Sequence, residues 1–266
     1  MKYKIIIAFS IVIPFLFSCS KENGLSANFI KGDATSFTDT IWHVSEKFGE
    51  VVKDGVNVVV KVDLNDNGNI TDITRYNSYG ELTEKTVQRW DGNNIAEAFN
   101  YNEDGKQEYH WKYYYKNGKI QKIVTTCTAD TKWVSTTTYY YSKNNSERFD
   151  SITVIKDSKK DLYTYKYLDD NNSHHEYIKY STGDKEEAIY YFNKDKYLIK
   201  EKQSYGTITY NYNNKGLLTK KVYDDGIINE YVYEFDTKGS LIKRINYVTN
   251  ETKNAVEMMT RHIEYK

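Results

Sequence analysis

Tyr76-Asn77-Ser78-Tyr79-Gly80-Glu81-Leu82 sets the pattern on which the fold turns. The chain returns to it in Tyr212-Asn213-Asn214-Lys215-Gly216-Leu217-Leu218 and Phe235-Asp236-Thr237-Lys238-Gly239-Ser240-Leu241. Degenerate copies stand at Tyr101-Asn102-Glu103-Asp104-Gly105 and Tyr115-Lys116-Asn117-Gly118-Lys119-Ile120. An Asn or Asp side chain folds onto the backbone two residues ahead, and Gly supplies the positive φ that closes a short loop of the type I plus bulge kind. The aromatic before it and the aliphatic after it then face each other as a cross-strand pair. Each copy is predicted to be a hairpin tip.

Working outward, turn signals fall at an even beat. Gly68, Gly80, Gly92, Gly105 and Gly118 are 12, 12, 13 and 13 residues apart, and Gly206, Gly216, Gly226 and Gly239 are 10, 10 and 13 apart. Other turn formers keep time between them, at Asp157-Ser158 and Asn193-Lys194-Asp195 for example. Each interval holds one strand and leaves no room for a helix with its crossover. The intervals also alternate as strands do: Tyr109, Trp111, Tyr113 and Tyr115 are interleaved with His110, Lys112 and Tyr114, and Tyr231, Tyr233 and Phe235 with Val232 and Glu234. The only stretch with an ambiguous period, Thr38 to Lys53, reads as extended, with Phe48-Gly49-Glu50 as a degenerate turn.

The predicted fold is all-β, a meandering antiparallel sheet of about sixteen strands built from these hairpin repeats. One face is greasy and must be covered, so the sheet is expected to be rolled or bent, with a flat single layer as the second choice. Tyrosine, 27 of 266 residues, covers a sheet while tolerating water at its hydroxyl, which suits the inside of a wide roll better than a dry core.

The ends assign a location. Lys2 and Lys4, the apolar stretch Ile5 to Phe17 and a small residue, Ser18, make residues 1–18 a secretory signal peptide. Leu16-Phe17-Ser18-Cys19 resembles the lipobox of bacterial lipoproteins, which implies lipidation of Cys19 and anchorage in a membrane; several acyl chains anchor a protein essentially permanently. Ser20 after the Cys points to an outer-membrane destination. Residues 19–33 read as a flexible tether and 34–266 as a single domain. The lone proline, Pro14, belongs to the signal, which removes rigid linkers from the remaining chain. With 37 basic and 37 acidic side chains overall, nucleic acid is not an expected partner. Cys127 has no cysteine partner in the chain after Cys19 and reads as a buried structural thiol.

The full copies, and most closely Tyr231 to Arg244, resemble the YD repeat of the RHS repeat family. The resemblance implies hairpins stacked laterally into long sheets, as in the small RHS-repeat lipoproteins of Gram-negative bacteria. It carries no catalytic residue to this chain.

No catalytic, cofactor-binding or metal-binding motif stands out, and an enzyme is the lesser expectation. His174-His175 with Asp169, Asp170 and Glu176 reads as a solvated turn, because adjacent strand residues point to opposite faces. Asp66-Asn67-Gly68-Asn69 reads as a hairpin tip in preference to a calcium loop, because the closing Glu is absent. A binding or interaction module of the cell envelope is the leading expectation. Trp90, Trp111, Tyr113 and Trp133 are its candidate ligand contacts, for a glycan or a protein partner. Two alternatives are a carbohydrate-binding or carbohydrate-processing surface lipoprotein and an assembly scaffold that pairs through its sheet edges.

Overall fold

The computed structural model describes residues 30–266 apart from 130–131, 142–148, 168–172, 181 and 196, so Cys19 and Asp169-Asp170 lie outside the described residues. Eighteen strands follow one another: β1 (Ala34–Lys47), β2 (Glu50–Leu64), β3 (Ile70–Tyr76), β4 (Leu82–Asp91), β5 (Asn94–Asn102), β6 (Gln107–Lys116), β7 (Lys119–Cys127), β8 (Trp133–Tyr141), β9 (Phe149–Lys156), β10 (Lys159–Tyr167), β11 (Ser173–Lys179), β12 (Lys185–Phe192), β13 (Leu198–Gln203), β14 (Gly206–Tyr212), β15 (Leu218–Tyr223), β16 (Ile228–Phe235), β17 (Leu241–Thr249) and β18 (Lys253–Tyr265). Every strand pairs antiparallel with the next, and β18 pairs antiparallel with β1. The result is a closed up-and-down barrel.

Two expectations are corrected by that closure. The strand number is eighteen where about sixteen were predicted, and the sheet is neither an open roll nor a flat layer. A ring has no first or last edge, so a scaffold that pairs through free sheet edges loses its footing. The all-β, antiparallel, neighbour-to-neighbour reading stands, and residues 38–53 are extended about a turn at Phe48-Gly49.

The hairpin tips are built as their residues dictate. At Asn213 the side-chain Oδ1 accepts the N–H groups of Lys215 and Leu217 at 2.9 and 3.0 Å, and the Gly216 N–H donates to the Asn213 carbonyl at 3.0 Å. Asn77 and Asn102 repeat the arrangement, and Tyr76 pairs with Leu82, Tyr212 with Leu218 and Phe235 with Leu241. Gly216 is obligatory twice over: its φ is +75°, and a Cβ there would run into the Tyr197 hydroxyl.

The β1–β2 tip breaks the pattern. Phe48 holds φ +56° with its ring fully exposed, where a two-residue turn prefers Asn followed by Gly. A left-handed conformation costs a residue with a Cβ about 1–2 kcal/mol. Phe48→Asn is therefore expected to raise stability by about 1 kcal/mol, read as a higher midpoint in urea with unchanged slope. An unchanged or lower midpoint would show that the ring does structural work at the tip.

Side chains sort cleanly into two faces, because paired residues share a face and the parity survives the full circuit. Phe37, Val62, Ile73, Thr86, Asn100 and Tyr109 are partners in sequence along one such row. This face carries most of the buried side chains, Phe37, Val60, Ile123, Tyr139, Ile152 and Leu218 among them, and it points inward. The other face carries Lys61, Lys85, Lys112, Lys122 and Lys243, with cross-strand ion pairs Lys85–Asp72 at 3.1 Å and Lys243–Glu234 at 2.8 Å. Its wall carries many charges, with apolar side chains at the seam, where Trp42, Val44 and Val51 pack on Ile245, Ala255 and Met258, and on β8 and β9, where Val134, Tyr140 and Ile155 are exposed.

Packing runs along the wall. One cluster joins Ile120, Ile123, Tyr139 and Ile152 with rings from β6, β8 and β10, and a second joins Phe37, Val60 and Val62 with Ile73 and Ile263. Each is made of neighbouring strands. Eighteen strands is a count at which a round barrel keeps a water-filled interior. The seam is pinned by Asp39 of β1 and Arg261 of β18: Nε donates to Oδ1 at 2.6 Å and an Nη to Oδ2 at 2.8 Å, with both side chains buried. The guanidinium also lies 4.3 Å over the Phe37 ring.

Candidate functional site

Strand alternation sends the hairpins to two ends. The β1–β2, β7–β8 and β9–β10 tips lie at one end, and the β2–β3, β14–β15 and β16–β17 tips lie at the other with both termini of the domain, where the Lys266 N–H donates to the Asp33 carbonyl at 2.9 Å. We call these the distal and the proximal end.

Aromatic residues at the proximal rim share a device that the sequence reading missed. Trp90 Nε1 donates to the Ile70 carbonyl at 2.7 Å, Tyr115 to Ile95 at 3.0 Å, Tyr141 to Ile120 at 2.8 Å and Tyr212 to Leu198 at 2.8 Å. In each case the last inward ring of one strand ties down the first or second residue of the strand before it. The visible signal is an aromatic within two residues of an even-numbered strand's end. Trp90 is consumed in this latch and sits apart from the other candidate contacts; Trp42 is likewise consumed, donating to Thr260 Oγ1 at 2.9 Å.

Trp111, Tyr113 and Trp133 are brought together on the inner wall of β6–β8. Tyr109, not singled out from sequence, links the two tryptophans: its ring stacks on Trp111 with centroids 5.6 Å apart at 22°, and meets Trp133 at 6.2 Å and 59°. Among the described residues neither the Trp111 nor the Trp133 N–H, nor the Tyr113 hydroxyl, takes a protein partner, while Trp42 and Trp90 both do. Beneath the rings the wall is low. Trp111, Thr125, Ser135 and Lys156 form one row across four strands, with Tyr109, Cys127 and Trp133 in the row on its distal side. At the distal rim this surface opens into a depression of about 650 Å³ lined by Thr126, Cys127, Thr128, Lys132, Trp133, Val134 and Asp157. The Cys127 thiol is buried, as expected.

Asp66 pairs with Lys266 Nζ at 2.6 Å, which holds its carboxyl below the usual range, and Asn65 Oδ1 accepts the N–H groups of Asn67 and Asn69, so that loop is a hairpin tip. The side chains of His174 and His175 lie outside the described residues; among the described residues no group of three metal-ligating side chains occurs. His110 stacks on Phe99 on the outer face at 4.5 Å.

Burial raises the inner tyrosines. Tyr163 and Tyr233 are pushed up to about 12, and Tyr113, Tyr139 and Tyr190 still higher, with desolvation the leading cause throughout. A phenol near 10 when unfolded and higher when folded keeps its neutral form in the native state. Its stability is therefore complete below about pH 10 and drains away as pH rises toward the folded values. Urea midpoints are expected to hold steady from pH 7 to 9.5 and fall from 10 to 12. A flat profile to pH 12 would mean that these rings are solvated.

No protein-family model matches this chain, and no curated protein matches it. The solved structures it resembles include a porin-like protein from Bacteroides uniformis, at 15% identity over 87% of this chain and 96% of that one with a TM-score of 0.46. A porin-like protein from Bacteroides vulgatus gives 13% identity over 89% and 99%, with a TM-score of 0.40. The YD-repeat resemblance is corrected: no family model matches the chain, and its hairpins close into one ring where that family stacks them into long open sheets.

Proposed function

We propose that this chain is a cell-envelope binding protein, a barrel standing in water on a lipid tether at Cys19, that holds a saccharide against the inner wall of β6–β9. The observation that carries the reading is the Tyr109, Trp111 and Trp133 cluster with unpartnered N–H groups beside the low floor of Thr125 and Ser135. Sugars offer apolar ring faces that stack on aromatic rings and hydroxyls that need donors and acceptors at the ring edges. The geometry supplies both.

Shape alone would equally suit a pore, and the outer wall argues against that. A lipid-facing strand needs an apolar band, and each Lys at the bilayer midplane costs about 2–4 kcal/mol. Lys61, Lys112 and Lys122 lie on the outer face within their strands, and β13 and β15 have only six residues each. A spanning strand needs about 9–11. The tether leaves from the proximal end, so the aromatic surface opens away from the membrane.

Glycan-array binding by the purified protein tests the reading. Trp111→Ala and Trp133→Ala are each expected to weaken retention at least tenfold, a loss of about 1.4 kcal/mol or more. Trp90→Phe, which removes only a latch, should bind as the wild type does. Equal binding by all three variants would refute the site.

A further inference from the structure

We infer that the saccharide is acidic, a short oligosaccharide carrying carboxylates; this rests on the binding reading above and names its ligand class. Lys156 Nζ lies 4.0 Å from the centroid of the Trp133 ring, and Lys132 lines the depression that Trp133 shares. Among the described residues neither ammonium has a carboxylate partner, whereas Lys47, Lys85, Lys106, Lys243, Lys253 and Lys266 all do. Two cations without carboxylate partners and a free indole N–H therefore converge at the distal end of the aromatic surface, with Asp157 the only acid on its lining among the described residues.

Spacing defines the rest. The row Trp111, Thr125, Ser135, Lys156 crosses three ladder steps of about 4.8 Å, roughly 14 Å in all. A single sugar cannot touch both ends of that row; a short chain can. One sugar ring stacks on Trp111 and Tyr109, the next lies over the Thr125 and Ser135 hydroxyls, and a carboxylate beyond them meets Lys156 and Lys132. An ammonium already held against an indole face is oriented before the ligand arrives, which favours a charge-assisted contact there.

The experiment is an array spanning uronic-acid, sialylated and neutral oligosaccharides, run with the full-length wild type and with Lys132→Gln/Lys156→Gln. Binding is expected to be confined to carboxylated members, to weaken at least tenfold in the double variant, and to fall as salt is raised from 50 to 500 mM. Binding to neutral members at equal strength, or a double variant with unchanged selectivity, overturns the acidic ligand and leaves the saccharide reading intact. No binding to any member overturns that reading itself. Circular dichroism of the double variant confirms that it folds, as expected for two exposed lysines.

Discussion

Arg261→Ala is expected to destabilise the protein by about 3–5 kcal/mol, because it strands the Asp39 carboxylate inside the wall without a counter-charge. Asp39 is 1% exposed and Arg261 5%, so water cannot replace the lost partner. The pair joins the first strand to the last, at the one ladder whose partners are more than 200 residues apart in sequence. Loss of the contact should therefore loosen β1 and β18 ahead of the rest, seen as faster amide exchange along Phe37–Ile41 and Met259–Ile263. The companion variant Asp39→Leu/Arg261→Met removes both charges and is expected to recover most of the loss, since well-packed apolar residues replace buried ion pairs at little cost. A single replacement costing under 1 kcal/mol would mean that the seam is held by its backbone ladder alone.

Substituting residues 1–19 with an ordinary cleavable export signal should move the protein entirely from the detergent-extracted membrane fraction to the soluble fraction released by osmotic shock. The expectation follows from the two faces of the wall. Charged side chains and cross-strand ion pairs on the outside would each have to be desolvated on insertion, and most of the buried apolar side chains point inward. On the proposed reading, acyl chains at Cys19 are what hold the barrel to the bilayer, and this substitution removes them. A substituted protein that still requires detergent would show that strands span the membrane, and the tethered-barrel reading would fail.

Much of the local structure was legible. The Asn-x-x-Gly loops, the flanking Tyr–Leu and Phe–Leu pairs and the alternation of Tyr109 to Tyr115 follow from turn chemistry and strand parity, and each is found where its residues place it. The candidate site was legible only in part. Trp90, Trp111 and Trp133 look alike in sequence, each an aromatic in an alternating strand; what separates them is whether a neighbouring carbonyl lies within reach of the indole N–H, and the carbonyl that takes Trp90 belongs to a residue 20 positions away. Lys156 drew no notice because its significance comes from the ring it covers on the adjacent strand. The repeat resemblance misled for a related reason: a hairpin tip looks the same whether its sheet stacks onward or closes.

What the amino-acid sequence determined by itself is the succession of chain reversals, the extended segments between them and which side chains share a face, since turn geometry and period-two alternation act within a dozen residues. Only the tertiary structure decided that the ribbon closes, after eighteen strands, with its greasy face inward. Closure depends on the summed twist and stagger of every ladder and on one meeting, Asp39 with Arg261, between parts of the chain that no local rule connects.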